Sequence, residues 1–258
     1  MRGKVYFIGA GPGSPDLITV RGMTLLSKAD LVVYADSLVS EAMLKYCKGG
    51  AEIVGSSSMT LEETNLKIVR AVDEGKTVAR LHSGDPSVYG ALTEQIRMLK
   101  EHDVDMEVVP GISSAFAAAA SIGMELTVPG ISQSIIFTRI PKRTERIEAE
   151  DPVVLARLKR TMVFFLSALS AGDLTKSLLE AGWPEDSKAA IFYRISWPEE
   201  KIILTEISRL EEEIRKEKLD RQVLIIVGPA VQNLFADSGK RSMLYNPRFS
   251  HRFRVDRE

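Results

Sequence analysis

Three times in its first half the chain runs a short apolar stretch directly into a turn of small residues. Val5–Ile8 leads into Gly9-Ala10-Gly11-Pro12-Gly13-Ser14. Thr77–Leu81 leads, through His82, into Ser83-Gly84-Asp85-Pro86, and Met106–Val109 leads into Pro110-Gly111. Helical patterns separate these stretches. A β-then-α order of this kind folds as a mostly parallel sheet covered by helices. Ligands of such sheets collect beyond the carboxyl ends of the strands, where all three turns lie.

The same alternation runs through the chain. Leu31–Tyr34 reads as a further strand and Glu52–Val54 as a weaker one. Thr60-Leu61-Glu62-Glu63 reads as a capping box opening a helix that ends near Gly75. Val88, Leu92, Gln95, Ile96 and Leu99 recur at helical spacing, and Ser114–Gly123 is an alanine-rich helix. Thr127-Val128-Pro129-Gly130 reads as a linker. Beyond it, Ser134–Arg139, Met162–Leu166, Ala189–Tyr193, Lys201–Thr205 and Val223–Val227 read as strands, and Glu206–Asp220 as a charged helix with an apolar stripe. The expected architecture is two α/β domains, residues 1–123 with a mostly parallel sheet and 124–235 with a mixed one, the ligand cleft between them. A basic tail follows over residues 236–258, with six Lys/Arg against three Asp/Glu.

Composition narrows the function. With 258 residues, 45% of them apolar, the chain can bury a substantial core. A net charge of -1 argues against a bulk electrostatic grip on nucleic acid. Cys47 stands alone, and His82, His102 and His251 lie far apart, so neither a disulfide nor a bound metal is expected. No apolar run approaches the roughly 18 residues of a membrane helix. No basic-then-apolar leader precedes the first strand, so the expected location is the cytoplasm.

The opening turn fails as a dinucleotide loop, because Ser14 stands where the third glycine belongs and Pro12 has no N–H to give a phosphate. A tight strand exit explains it as well as a ligand loop does. Asp85 and Pro86 read simply as a helix N-cap and first helical residue. That leaves Ser83-Gly84 as bare backbone for a ligand. Ser113 or Ser114 can cap the helix that follows. Arg139, Lys142, Arg143 and Arg146 form either a solvated basic face or a grip on a carboxylate-rich substrate.

Taken in order, VYFIGAGPGSPDLITVRG, ADLVVYADSLV, SSSMTLEE, RLHSGDPSVYGALTEQ, MEVVPGISSAFAAAA, ELTVPGISQSIIFTR and YRISWPEEKI resemble the tetrapyrrole methylase family. YADSLV, HSGDPSVYG and ISQSIIFTR are most similar to its members that methylate C11 of precorrin-4 or cobalt-precorrin-4 in cobalamin biosynthesis. The resemblance spans residues 3–230. It implies S-adenosylmethionine as methyl donor, a tetrapyrrole substrate and a homodimer, with no nucleic-acid or membrane partner. It implies donor contacts at Pro12, Ser83, Gly84, Asp85, Val88, Ser113, Ser114, Leu166 and Ile195. The macrocycle's acid arms would meet Arg139 and Arg143, with Tyr89 a further substrate contact. Asp36 stands where that group carries glycine, and is the candidate for handling protons.

A sulfonium donor and an electron-rich ring carbon need alignment more than acid, base or metal. Cys47 is accordingly expected as a core thiol and His82 as a structural or pocket-lining residue. The alternatives are another tetrapyrrole C-methyltransferase acting on uroporphyrinogen or a different precorrin, the diphthine synthases of the same fold, and a non-catalytic corrinoid-binding protein.

Overall fold

The computed structural model describes residues 2–140, 148–236, 239–245, 249–250, 252 and 254. Residue contacts divide the chain into two units, one holding the chain up to Ala117 together with Arg194–Glu200, the other the remainder.

The first unit carries β1 (Val5–Gly9), α1 (Val20–Leu26), β2 (Leu31–Tyr34), β3 (Glu52–Gly55), α2 (Leu61–Asp73), β4 (Val78–His82), α3 (Leu92–Lys100), β5 (Met106–Val109) and the start of α4 (Ser114–Ser121). Its five strands run in the order β3-β2-β4-β1-β5, every pair parallel. Both faces of the sheet are covered. Ile8, Val32, Leu81 and Val109 pack on one side with Leu26 of α1. Val5, Phe7, Val33 and Val78 pack on the other with Ile68 and Val72 of α2. Burial on both faces explains why β1 and β2 read as unbroken apolar runs, while β4 carries the buried Arg80 within its own. β3 is an edge strand, with Ile53 exposed, which explains its weaker signal.

α2 begins with the expected capping box. The Thr60 hydroxyl accepts from the Glu63 amide at 3.1 Å, and the Glu63 carboxylate accepts from the Thr60 amide at 2.8 Å. α3 is shorter than its apolar spacing suggests. Val88 lies in a turn, because Tyr89 (φ 53°) and Ala91 (φ 48°) adopt left-handed backbone that no α-helix can pass through. Asp85 and Pro86 therefore open a turn, and the helix starts only at Leu92.

The second unit holds β6 (Ile135–Thr138), α5 (Pro152–Ala156), β7 (Thr161–Phe165), α6 (Ala171–Glu180), β8 (Lys188–Tyr193), β9 (Lys201–Glu206), α7 (Leu210–Lys216), β10 (Val223–Val227) and α8 (Pro229–Phe235). The order is β6-β7-β10-β8-β9. Only β6 and β7 pair in parallel, so this sheet is mixed, as expected. Phe164, Ile191, Ile225, Leu174 and Leu210 anchor its core. The charged helix expected over Glu206–Asp220 is a 3-10 turn, Ile207–Arg209, followed by α7. No helix among the described residues is long and apolar enough to cross a membrane.

Candidate active site

The strand order places β4, β1 and β5 side by side and parallel, so their small-residue turns leave the same edge of the first sheet as neighbours. The turns after β1 and β4 are bonded to each other through the backbone. Gly84 donates to the Gly11 carbonyl at 2.8 Å, and Gly11 donates back to the Gly84 carbonyl at 3.2 Å. A Cβ added at Gly111 would sit 2.1 Å from the Gly84 oxygen and 2.7 Å from the Cα of Gly9. These glycines are first of all the condition for three turns to interlock, and no phosphate is needed to explain them.

Asp85 is the brace of this arrangement. One carboxylate oxygen accepts from the Gly111 amide at 2.8 Å, tying the turn after β4 to the turn after β5. The other accepts from the amide of Ser87 at 2.9 Å and from its hydroxyl. Burial works to raise the Asp85 carboxyl. The bonds from the Ser87 side chain and the Gly111 amide outweigh it, and the group stays below its ordinary value.

The opening turn has a cover that its own residues do not announce. The Trp197 indole N–H donates to the Pro12 carbonyl at 3.1 Å, and the Ser14 amide donates to the Ser196 hydroxyl at 2.9 Å. A Cβ at Gly13 would fall 2.1 Å from the indole ring, so Gly13 is the seat of Trp197. Residues 194–200 thus cluster with the first unit, although β8 and β9 on either side belong to the second. Ile195 is buried within this segment. Arg194 (φ 47°) and Ser196 (φ 64°) flank it in left-handed backbone. The resemblance singled out Ile195 in this segment, but nothing in the spacing pointed to Trp197.

Of the expected donor contacts, Pro12, Ser83, Gly84, Asp85, Val88, Ser113, Ser114 and Ile195 all lie in this first unit. Ser113 is buried, its hydroxyl accepting from the Ala115 amide at 3.4 Å, which is the capping role. Among the described residues, the hydroxyls of Ser83 and Ser114 have no hydrogen-bond partner. Tyr89, Ile112 and Phe116 add exposed apolar surface beside the turns.

Leu166 and Arg139 belong to the second unit, at one end of its sheet. Arg139 follows the end of β6, and Leu166, left-handed at φ 52° and exposed, follows the end of the adjacent β7. Tyr89, Leu166, Arg194 and Ser196 hold left-handed backbone, as do Ala91, Asp103, Lys159, Lys218 and Gln222. Arg143 lies outside the described residues, as do Lys142 and Arg146.

Asp36 follows β2 on the same edge of the first sheet, and both its oxygens are engaged. They accept from the Ser57 amide at 2.7 Å and the Ser57 hydroxyl at 2.6 Å, bonds that hold the carboxyl below its ordinary value. That is the position of a loop tether. His82, at the end of β4, is 5% exposed, and its Nε2 has no hydrogen-bond partner. Burial, reinforced by the nearby Arg80 charge, pushes its pKa down to about 3, so it is neutral. Cys47 packs at the margin of the α1-side core, where burial raises its thiol. Among the described residues no three His, Cys, Asp or Glu side chains gather as a metal site would require.

Comparison with known proteins agrees with this geometry. The model of the tetrapyrrole (corrin/porphyrin) methylases matches residues 4–211. A cobalt-precorrin-4 C(11)-methyltransferase of Priestia megaterium is 44% identical over 97% of both chains. The X-ray structure of a cobalamin biosynthetic enzyme, a cobalt precorrin-4 methyltransferase, superposes with a TM-score of 0.86 at 44% identity, covering 88% of this chain and 95% of the other. A uroporphyrin-III C-methyltransferase from Thermus thermophilus, solved with S-adenyl homocysteine, reaches 0.73 at 26% identity, covering 93% and 96%.

Proposed function

The chain belongs to the tetrapyrrole (corrin/porphyrin) methylases, and we propose that it transfers a methyl group from S-adenosylmethionine to C11 of precorrin-4, with or without cobalt, in cobalamin biosynthesis. The observation that carries this reading is identity of 44% along the whole chain to a C11-methylating relative. That identity coincides with three interlocked small-residue turns at the carboxyl edge of a parallel sheet.

The sulfonium supplies an activated methyl group. An electron pair of the ring carbon forms the new carbon–carbon bond as the sulfur–methyl bond breaks, S-adenosylhomocysteine leaves as a neutral thioether, and the positive charge passed to the macrocycle is lost as a ring N–H proton to solvent. The chain's contribution is binding and alignment. Ser83, Gly84, Ser113 and Ser114 present backbone and hydroxyl groups to the donor. Asp85 keeps those turns in register, and Trp197 with Ile195 shields the Pro12 side. Proximity and orientation of this kind can supply several powers of ten in rate without an acid or base. Arg139 beside Leu166 offers a cation to the substrate's carboxylate arms, and Arg143 and Tyr89 are further candidates. The enzyme works as a cytoplasmic homodimer in this reading.

The test is methyl transfer from labelled donor to a panel of precorrin-4, cobalt-precorrin-4 and uroporphyrinogen III, with the product carbon located by NMR. Methylation at C11 of either precorrin-4 form confirms the proposal. Methylation of uroporphyrinogen alone, or donor binding with no transfer to any of them, refutes it.

A further inference from the structure

On the face of β4 toward α2 and α3, a buried cation connects two loops at the carboxyl edge of the sheet. Arg80 is 8% exposed. Its Nη1 donates to the Ser56 hydroxyl at 2.9 Å, and that hydroxyl in turn donates to the Tyr34 carbonyl at 3.1 Å. Its Nε donates to the Gln95 amide oxygen at 3.1 Å. Gln95, 1% exposed on the first turns of α3, spends its own amide group on the turn above. Its Nε2 donates to the carbonyls of Gly90 at 3.1 Å and Ala91 at 3.3 Å. That turn is the left-handed one at Tyr89 and Ala91. It is wedged from below, since a Cβ at Gly90 would lie 2.6 Å from the Pro86 carbonyl and 3.0 Å from Nδ1 of His82.

Among the described residues no carboxylate is bonded directly to this guanidinium, and the Asp36 charge only partly offsets the cost of its burial, where a sheet strand usually carries an apolar residue. The left-handed turn is costly as well, at roughly 1–2 kcal/mol for each non-glycine residue. The relay accounts for both. We propose that Arg80 and Gln95 are positioning residues, which hold the Tyr89–Ala91 turn in its strained form and thereby fix the Ser83–Val88 segment for the methyl donor. The donor half of this proposal rests on the function proposed above. Neither side chain reaches the reacting atoms, so both act through the turn.

Gln95→Glu separates the two ends of the relay. The carboxylate still accepts from Arg80, but it has no N–H for Gly90 and Ala91. Two readouts on the full chain decide the matter. They are calorimetric titration with S-adenosylhomocysteine and hydrogen exchange of the amides of residues 87–91, with the β1 and β2 amides as internal reference. The expected result is about 10-fold weaker binding, the loss of one to two hydrogen bonds, with faster exchange at 87–91 and unchanged exchange in the strands. Wild-type affinity, or unchanged exchange at 87–91, overturns the proposal. If the wild-type chain itself fails to bind S-adenosylhomocysteine, the donor reading falls. Exchange alone then decides the positioning role, faster upholding it and unchanged overturning it. Should Gln95→Glu not fold, Gln95→Met keeps the packing volume, removes the same two donors and is read by the same criteria.

Discussion

His82 makes the fold acid-sensitive in a calculable way. In the unfolded chain its imidazole takes a proton near pH 6.5, but in the folded chain burial and the Arg80 charge lower its pKa to about 3, with Asp85 opposing them. A folded pKa below the unfolded one means that stability is complete above the unfolded value and is lost as pH falls toward the folded value. At roughly pH 4.5 the unfolded His82 is protonated and the folded one is still neutral. Two pH units below 6.5, at about 1.36 kcal/mol each, give a loss of about 2.7 kcal/mol from this one residue. Carboxylates held below their ordinary values, such as Asp30, Asp36 and Asp85, add to acid instability in the same direction. They are common to a variant that lacks the imidazole. The assay is therefore urea unfolding of the wild type and His82→Gln at about pH 7.5 and 4.5. The wild type should lose about 2–3 kcal/mol more between the two than the variant does. Equal losses would show that the folded imidazole titrates normally, and the claim of a dry, unpartnered His82 would fall with it.

Three other outcomes follow from the site. Gly111→Ala, whose Cβ would lie 2.1 Å from the Gly84 oxygen, should cost about 3 kcal/mol or more in thermal unfolding. Gly84→Ala, with nothing nearer than 3.6 Å, should cost only the roughly 1–2 kcal/mol of left-handed alanine; equal costs would contradict the interlocked turns. Asp36→Asn should lower stability by about 1–2 kcal/mol while keeping methyl transfer within several-fold. A folded variant that lost about 100-fold in kcat would instead make Asp36 catalytic. Trp197→Phe keeps a ring over Gly13 but loses the bond to the Pro12 carbonyl. It should cost about 1 kcal/mol against about 2–3 for Trp197→Ala, whose ring is partly buried, and similar costs in calorimetry would show that the ring does not pack there.

The parts of this protein legible from the chain alone are those that depend on near neighbours along it. The inner strands β1 and β2 were legible because burial on both faces makes them continuous apolar runs. The capping box at Thr60 was legible because its two bonds span three residues. The three turns and the family resemblance pointed to the carboxyl edge of the sheet for the same reason. The folded arrangement sets which backbone each glycine faces, since Gly9, Gly84 and Gly111 come together through strand order and not through spacing. It also decided what the charged side chains do. Asp85 became a brace through an amide 26 residues away, and Asp36 a tether through Ser57, 21 residues away. Arg80 became a buried post under a turn that the helical periodicity of Val88 and Leu92 had concealed. A hydrogen bond between distant residues leaves no periodic trace, and left-handed backbone at Tyr89 and Ala91 is paid for by contacts that exist only once the chain is folded.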